Sequence, residues 1–188
     1  MERREVLKYT VLLTGAAIST PLLSSLLTAC KSDTKTPDNY QQKFFNDQDF
    51  ALVRDLIDTI LPETDSPSAT QVGVHKTIDT MVGQVYKAGE KENYKTQFNS
   101  LSSYLREQNG FQSLSGSEKL DVLKTLESSK EDSLKDTRSA YLNVKQQTIA
   151  YYLSTEEIGK NYLNYLPIPG KYKACISLEE VNGKAWAL

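Results

Sequence analysis

The sequence has few of the side chains that usually carry chemistry. Among its 188 residues there is one histidine, His75, and there are two cysteines, Cys30 and Cys175. A zinc site would need more His or Cys ligands than these. The c-type haem motif Cys-x-x-Cys-His and the dinucleotide fingerprint Gly-x-Gly-x-x-Gly are both missing. We therefore expect no catalytic, cofactor-binding or metal-binding residue in this chain, and we interpret His75 as an ordinary surface or cap residue near a helix start.

Basic residues are too few and too scattered for a nucleic-acid-binding surface. Lys and Arg number 22 against 24 Asp and Glu, which gives a formal net charge of -2 at pH 7. A nucleic-acid-binding protein would carry a basic stripe or patch. No run of basic residues follows the start of the chain, so we expect no nucleic-acid partner.

The first 29 residues have the pattern of an export signal. Arg3 and Arg4 precede an apolar stretch, residues 9–29, that ends in small residues. The alternative, a permanent transmembrane helix, would need ~20 residues with few polar interruptions, whereas Thr, Ser, Gly and Pro interrupt this stretch. The arginine pair resembles a twin-arginine signal, which exports proteins that are already folded. An ordinary secretory leader is the alternative, because Glu2 and Val6 stand where the twin-arginine signal usually has Ser and Phe.

A lipid anchor is expected at Cys30. Residues 27–30 (LTAC) resemble a bacterial lipobox, in which small residues precede a cysteine whose thiol forms a thioether with diacylglycerol. Several acyl chains on one cysteine anchor a protein stably, whereas a single chain does not. The sequence thus predicts an exported protein, lipid-anchored on the periplasmic side of a bacterial membrane. Its expected parts are a signal peptide (1–29), a flexible tether (30–43) and one domain (44–188).

Apolar residues in the domain recur at three- and four-residue steps, which is the period of an amphipathic helix. The predicted buried faces include Val85, Leu120 and Ile149, and Ser154 begins a short further turn. The pattern predicts an all-α domain of about five helices: residues 44–61, a segment opened by Gly73, residues 92–108, a segment opened by a capping box at Ser115, and residues 133–153.

The last part of the chain, residues 161–188, has no helical period. Pro167 and Pro169 bracket Ile168, and aromatic residues are frequent. We therefore expect a long, irregular and extended C-terminal arm that lies on a surface. Five of the 11 tyrosines fall in or just before the arm, between residues 151 and 172. They either pack in the core under the arm or form a protein interface, where Tyr combines apolar area with a polar group.

Several segments of the domain carry motifs of one protein family. The most specific are residues 151–159 (YYLSTEEIG) and 165–172 (YLPIPGKY), and residues 56–62 (LIDTILP) and 64–67 (TDSP) accompany them. By these motifs the chain resembles the gluconate 2-dehydrogenase subunit 3 family, the small subunits of bacterial membrane-bound dehydrogenases. The middle of the domain, residues 87–137, matches the family only in its helical pattern.

The resemblance implies a role that needs no active site in this chain. Such small subunits accompany a large flavoprotein of the glucose-methanol-choline (GMC) oxidoreductase type, which binds FAD and oxidises a sugar, sugar acid or polyol. Electrons often pass on to a cytochrome c subunit. The expected role is therefore to assist export, membrane attachment and stability of the flavoprotein. A free-standing envelope lipoprotein that binds a small ligand or an envelope component is the alternative, and a stand-alone enzyme would need a site that the sequence does not show.

The arm offers residues for contact with such a partner. Tyr162, Tyr165 and Tyr172 are the expected interface residues, because aromatic side chains often anchor interfaces. If Cys30 is acylated, Cys175 is the only free thiol, in a compartment where thiols tend to oxidise. We expect a disulfide from Cys175 to the large subunit. The alternative is a buried cysteine that acts as a small apolar residue.

Overall fold

Six α-helices make up the regular structure of the described residues, so the predicted all-α class is confirmed. The structure is a computed structural model that describes residues 39–108, 110–168, 170–171 and 173–187. None of the helices in these ranges is both long and apolar enough to span a membrane. In chain order they are α1 (Asp47–Ile60), α2 (Val74–Thr80), α3 (Ala88–Ser103), α4 (Gly116–Ser128), α5 (Lys135–Leu153) and α6 (Glu156–Asn161).

Short turns of other helical types continue or link these helices. Two π-helical turns, Met81–Val85 and Tyr104–Gln108, extend α2 and α3 respectively. Three 3-10 turns lie at Phe111–Ser113, Asp132–Leu134 and Glu179–Val181. The last of them is the only helical turn in the described part of the C-terminal arm, which is otherwise irregular, as the sequence predicts.

Helix α5 lies at the centre of the fold and packs against each of the other five helices. One face of α5 consists of Thr137, Tyr141, Val144, Thr148 and Tyr152, which are spaced by three or four residues and are all buried. The Thr148 hydroxyl donates a hydrogen bond to the carbonyl oxygen of Val144 (2.7 Å). Its polar group is therefore satisfied inside the core, and a threonine can occupy a fully buried position.

Local sequence determines where α1 and α4 begin. The Oδ1 atom of Asn46 accepts a hydrogen bond from the backbone N–H of Asp49 (2.8 Å) at the start of α1. At the start of α4, the Glu118 carboxylate accepts a bond from the backbone N–H of Ser115 (2.8 Å), and the Ser115 hydroxyl accepts one from the backbone N–H of Glu118 (3.5 Å). The predicted capping box is confirmed. Hydrogen bonds from the side chain and backbone of Ser115 also hold the pKa of Glu118 below its usual value.

The buried carboxylate of Asp79 in α2 binds the segment that precedes α1. It accepts hydrogen bonds from three consecutive backbone N–H groups, those of Lys43 (2.6 Å), Phe44 (3.0 Å) and Phe45 (2.8 Å). The hydroxyl of Tyr40 donates a fourth (2.7 Å). Because Asp79 is completely buried, these bonds replace the water that its charge would otherwise need.

The segment before α1 therefore packs against the helices. Tyr40 and Lys43, which the sequence predicts to lie in the tether, both contact Asp79 and belong to the compact unit Tyr40–Leu188. The same segment lies against Gly83, where a Cβ atom would come within 2.6 Å of the Lys43 Cβ and within 2.9 Å of its backbone. A larger residue at position 83 would push this segment away from the domain.

Three side chains predicted to be buried are exposed: Val85 (61%), Leu120 (40%) and Ile149 (38%). Val85 ends the π-helical turn after α2, and the extra residue in such a turn rotates the following positions away from the helix's buried face. On α5, the buried face continues through Thr148 instead of its neighbour Ile149. Leu120 lies in the early part of α4, where the helix buries only later positions.

The only histidine of the sequence, His75, is buried, whereas the sequence analysis predicts a surface or cap residue. His75 is 6% exposed, and its ring makes an edge contact with that of Phe50, with centroids 5.3 Å apart. Helix α2 packs against α1, and its first two residues, Val74 and His75, are both buried. The interpretation of His75 as a surface residue is therefore wrong.

Candidate functional site

The C-terminal arm folds back on itself beyond α6. The backbone N–H of Asn164 donates a hydrogen bond to the carbonyl oxygen of Ala185 (2.8 Å), and that of Ala187 donates one to the carbonyl oxygen of Asn164 (3.1 Å). These bonds form an isolated parallel bridge between Asn164 and Trp186. The arm is irregular, as expected, but its two ends pair and close a loop, whereas an extended arm was predicted.

The loop encloses a cleft of about 730 Å³, which we call the arm cleft. Val181 is buried at its floor and Ile176 is half-buried, whereas Leu166 and Trp186 are 48% and 49% exposed. Its volume is within the range of about 300–1,000 Å³ that is typical of binding pockets. The described residues that line it are Asn164, Leu166, Gly170, Lys171, Lys173, Ala174, Ile176, Glu180, Val181 and Trp186.

Further apolar side chains of the arm are exposed outside the cleft. Ile168 and Leu178 are 83% and 74% exposed. Tyr165 lines a smaller recess together with Ala187 and with polar residues of α6 such as Glu156 and Lys160. The arm therefore exposes apolar and aromatic side chains beyond the arm cleft.

The described lining of the arm cleft has more basic than acidic side chains. The Lys173 ammonium and the Glu180 carboxylate form an ion pair (3.0 Å). The hydrogen bond from Lys173, together with one from the backbone N–H of Ser177, holds the pKa of Glu180 below its usual value. Lys171 lines the same cleft and forms no ion pair with any residue that the structure describes. The described lining therefore carries an unbalanced positive charge.

The tyrosines divide between the core and the surface. Tyr152 is buried on α5, and its hydroxyl donates a hydrogen bond to the carbonyl oxygen of Pro67 (2.8 Å). Tyr162 and Tyr165, both predicted as interface residues, are exposed. The third predicted interface residue, Tyr172, lies outside the described residues. Core packing thus accounts for Tyr152, and the arm presents Tyr162 and Tyr165 to solvent.

Cys175 is exposed and forms no disulfide with a described residue. The alternative interpretation, a buried cysteine that acts as a small apolar residue, is therefore wrong. Its neighbours Ala174 and Ile176 line the arm cleft. The residues predicted for lipidation (Cys30) and for the export signal (Arg3 and Arg4) lie outside the described part of the chain.

Leu166 and Trp186 are the residues of the site that sequence reasoning missed. Trp186 is the only tryptophan of the sequence, and an isolated tryptophan near polar residues is a signal for an interface anchor. Across residues 39–108, 110–168, 170–171 and 173–187, no group of three or more His, Cys, Asp or Glu side chains is arranged to hold a metal ion.

Comparison with protein families places this chain beside a known family. The sequence model described as gluconate 2-dehydrogenase subunit 3 matches residues 47–170, more than half of the chain. The matched range runs from the start of α1 to the first part of the arm, so it includes the motifs at residues 56–62 and 151–159. Comparisons with curated proteins and with solved structures give no significant match.

Proposed function

The chain belongs to the gluconate 2-dehydrogenase subunit 3 family, and we propose that it is the noncatalytic small subunit of a membrane-bound, FAD-dependent sugar or sugar-acid dehydrogenase complex. The family match over residues 47–170 carries this proposal, because the family is described as one subunit of a dehydrogenase and therefore implies partner subunits. The proposed main partner is a large flavoprotein of the GMC type that holds FAD and the substrate. A cytochrome c subunit is a further proposed partner, which would take up the electrons.

The exposed apolar side chains of the arm support contact with a large partner. Leu166, Ile168, Leu178 and Trp186 are each close to half exposed or more, and water contact at such groups costs free energy that burial in an interface would recover. Tyr162 and Tyr165 lie on the same arm and are typical interface residues. The proposed interface therefore consists of the arm and the recess next to α6.

The beginning of the chain supports roles in export and attachment. We propose that Arg3 and Arg4 direct the folded complex through the twin-arginine route and that acylated Cys30 holds it on the periplasmic side of a bacterial membrane. A flavoprotein without its own leader would then travel bound to this chain. Cys30→Ala is expected to move the complex from the membrane to the soluble fraction, and unchanged membrane association would contradict the anchor.

The exposed thiol of Cys175 supports a covalent link to the partner. We propose a disulfide between Cys175 and a cysteine of the large subunit, formed as a periplasmic thiol oxidant takes two electrons and two protons from the two thiols. Gel electrophoresis of the complex without reductant should show one band at the summed mass, which splits when reductant is added. Two separate bands under both conditions would reject the disulfide.

The proposed function is tested by purifying the tagged chain from native membranes. We expect a large protein with flavin absorbance to co-purify, and we expect the complex to reduce an artificial electron acceptor in the presence of a sugar or sugar acid. The separated small chain should show no turnover. Recovery of no flavoprotein would contradict the proposal, and turnover by the small chain alone would indicate an independent enzyme.

A further inference from the structure

We propose that the arm cleft receives a short segment of the flavoprotein partner that carries a bulky apolar side chain next to a carboxylate. This inference rests on the proposed function and specifies which chemistry of the partner the small subunit recognises. It follows from three features, namely the apolar walls of the cleft, its unbalanced positive charge and the exposed apolar side chains elsewhere on the arm.

The walls of the cleft favour an apolar occupant. Leu166 and Trp186 stand at the rim, about half exposed, over a floor that contains the buried Val181. The backbone pairing at Asn164 brings together the two chain segments that carry Leu166 and Trp186, and both residues line the cleft. A cleft of about 730 Å³ has room for one large apolar side chain and part of the backbone that carries it. Insertion would remove the exposed faces of Leu166 and Trp186 from water.

The charge of the cleft favours a carboxylate beside that apolar side chain. Lys173 is already paired with Glu180 (3.0 Å), and the pKa of Glu180 is lowered, so this pair stays ionised and neutral as a whole. Lys171 has no ion-pair partner among the described residues of the arm. An incoming Asp, Glu or chain-terminal carboxylate would supply that partner, and opposite charges at an interface favour the correct register.

A polypeptide fits this surface better than a small molecule does. Exposed apolar and aromatic side chains of the arm are not confined to the cleft, because Tyr165, Ile168 and Leu178 lie outside its lining and are exposed. A small acid could fill the cleft but would leave Tyr165, Ile168 and Leu178 exposed. A protein partner would cover these side chains as well as the cleft, and their exposure is the reason for choosing it.

The proposal is tested by measuring the Kd between the purified small chain and the flavoprotein that co-purifies with it. Leu166→Glu places a negative charge at the apolar rim, and we expect it to raise the Kd by about thirtyfold or more, the effect of losing an interface anchor. The matched control is Leu120→Glu on α4, which changes a leucine of similar exposure (40% against 48%) far from the arm in sequence. The control should bind like the unmodified chain.

The role of the Lys171 charge is tested separately by measuring how the Kd for the flavoprotein depends on salt concentration. Binding of the unmodified chain should weaken as sodium chloride is raised, because Lys171 pairs with a carboxylate of the partner. In Lys171→Gln this dependence should become flatter, whereas Lys124→Gln, an exposed lysine of α4, should leave it unchanged. A merely structural role of Lys171 would not change the salt dependence of binding.

The outcomes distinguish a failure of the docking proposal from a failure of the proposed function. If the unmodified chain recovers no flavoprotein, the proposed function itself fails. If it binds flavoprotein but Leu166→Glu binds as tightly as Leu120→Glu, the proposed function stands and the cleft is not the docking site. Native mass spectrometry gives a further check, because an apolar acid bound to the unmodified chain and lost in Leu166→Glu would show that the cleft holds a small molecule and overturn the proposal.

Discussion

The helical core and the C-terminal arm place similar apolar side chains in opposite surroundings. Leu52 and Leu101 in the core are completely buried, whereas Ile168 and Leu178 in the arm are 83% and 74% exposed. Burial of one such side chain stabilises a protein by about 1.5–3 kcal/mol. The apolar residues of the core therefore stabilise this chain, whereas the exposed apolar residues of the arm contribute little to its stability and are available to another molecule.

The two regions also differ in how their polar groups are satisfied. In the core, carboxylates bind backbone groups that are distant in sequence. The buried Asp79 accepts the backbone N–H of Phe45 (2.8 Å), and the half-buried Asp58 accepts that of Thr70 (2.9 Å). In the described part of the arm, the hydrogen bonds that involve side chains are exposed, such as the bond from the Lys184 ammonium to the carbonyl oxygen of Asn161 (3.0 Å). Exposed contacts compete with water and add little stability, so the core should fold without the arm.

The largest effect on the core is expected from Asp79→Ala. The change removes the acceptor of three backbone N–H groups, one of them fully buried at Phe45. Because unsatisfied buried donors are costly, we expect the free energy of unfolding to fall by about 3 kcal/mol. Urea unfolding followed by circular dichroism measures the change.

The control for this prediction is Asp121→Ala, which removes an exposed aspartate of α4. It should change the free energy of unfolding by no more than about 0.5 kcal/mol. Equal effects of the two substitutions would show that the Asp79 carboxylate does not hold the segment before α1 to the core.

The next largest effect is expected from Gly83→Ala. A Cβ atom at Gly83 would lie 2.6 Å from the Cβ of Lys43 and would force the segment before α1 to shift. We expect destabilisation by about 1–3 kcal/mol, the usual result of overpacking. Gly89→Ala in the first turn of α3 is the matched control, because no atom lies within 4 Å of a Cβ there. It should leave stability unchanged or raise it by about 0.5–1 kcal/mol, and a similar loss in both variants would contradict the close packing at Gly83.

Part of this fold could be predicted from the sequence and part could not. The all-α class and the capping box at Ser115 follow from patterns within a few residues of each other, which a sequence shows directly. The role of Asp79 does not, because its backbone donors lie 34 to 36 residues away. The exposure of Val85 could not be predicted either, since a regular helical period gives no sign of the π-helical turn that Val85 ends.

In the C-terminal arm, too, contacts between residues distant in sequence could not be predicted. Its irregular course and its tyrosines could be predicted from composition, and the structure places Tyr162 and Tyr165 at the surface. Leu166 and Trp186 were missed as a pair because they line one cleft only when the chain closes at Asn164, through backbone bonds that leave no side-chain signature.

A smaller effect is expected from Tyr152→Phe. The change removes a hydroxyl that bonds the Ser66 hydroxyl (3.0 Å) and the carbonyl oxygen of Pro67 (2.8 Å), and it leaves the ring in the core. We expect a loss of about 1 kcal/mol, with faster amide hydrogen exchange in the loop between α1 and α2. Unchanged exchange in that loop would show that the Tyr152 hydroxyl does not hold it.

Truncation after Tyr165 tests the difference between core and arm most directly. The shortened chain lacks Leu166, Trp186 and Cys175 but keeps all six helices. We predict that it retains its helical circular dichroism, that its free energy of unfolding falls by no more than about 1 kcal/mol, and that it no longer recovers the flavoprotein from membranes. Loss of helical structure would show that the arm is part of the core, and recovery of the flavoprotein by the folded, shortened chain would show that the partner binds elsewhere.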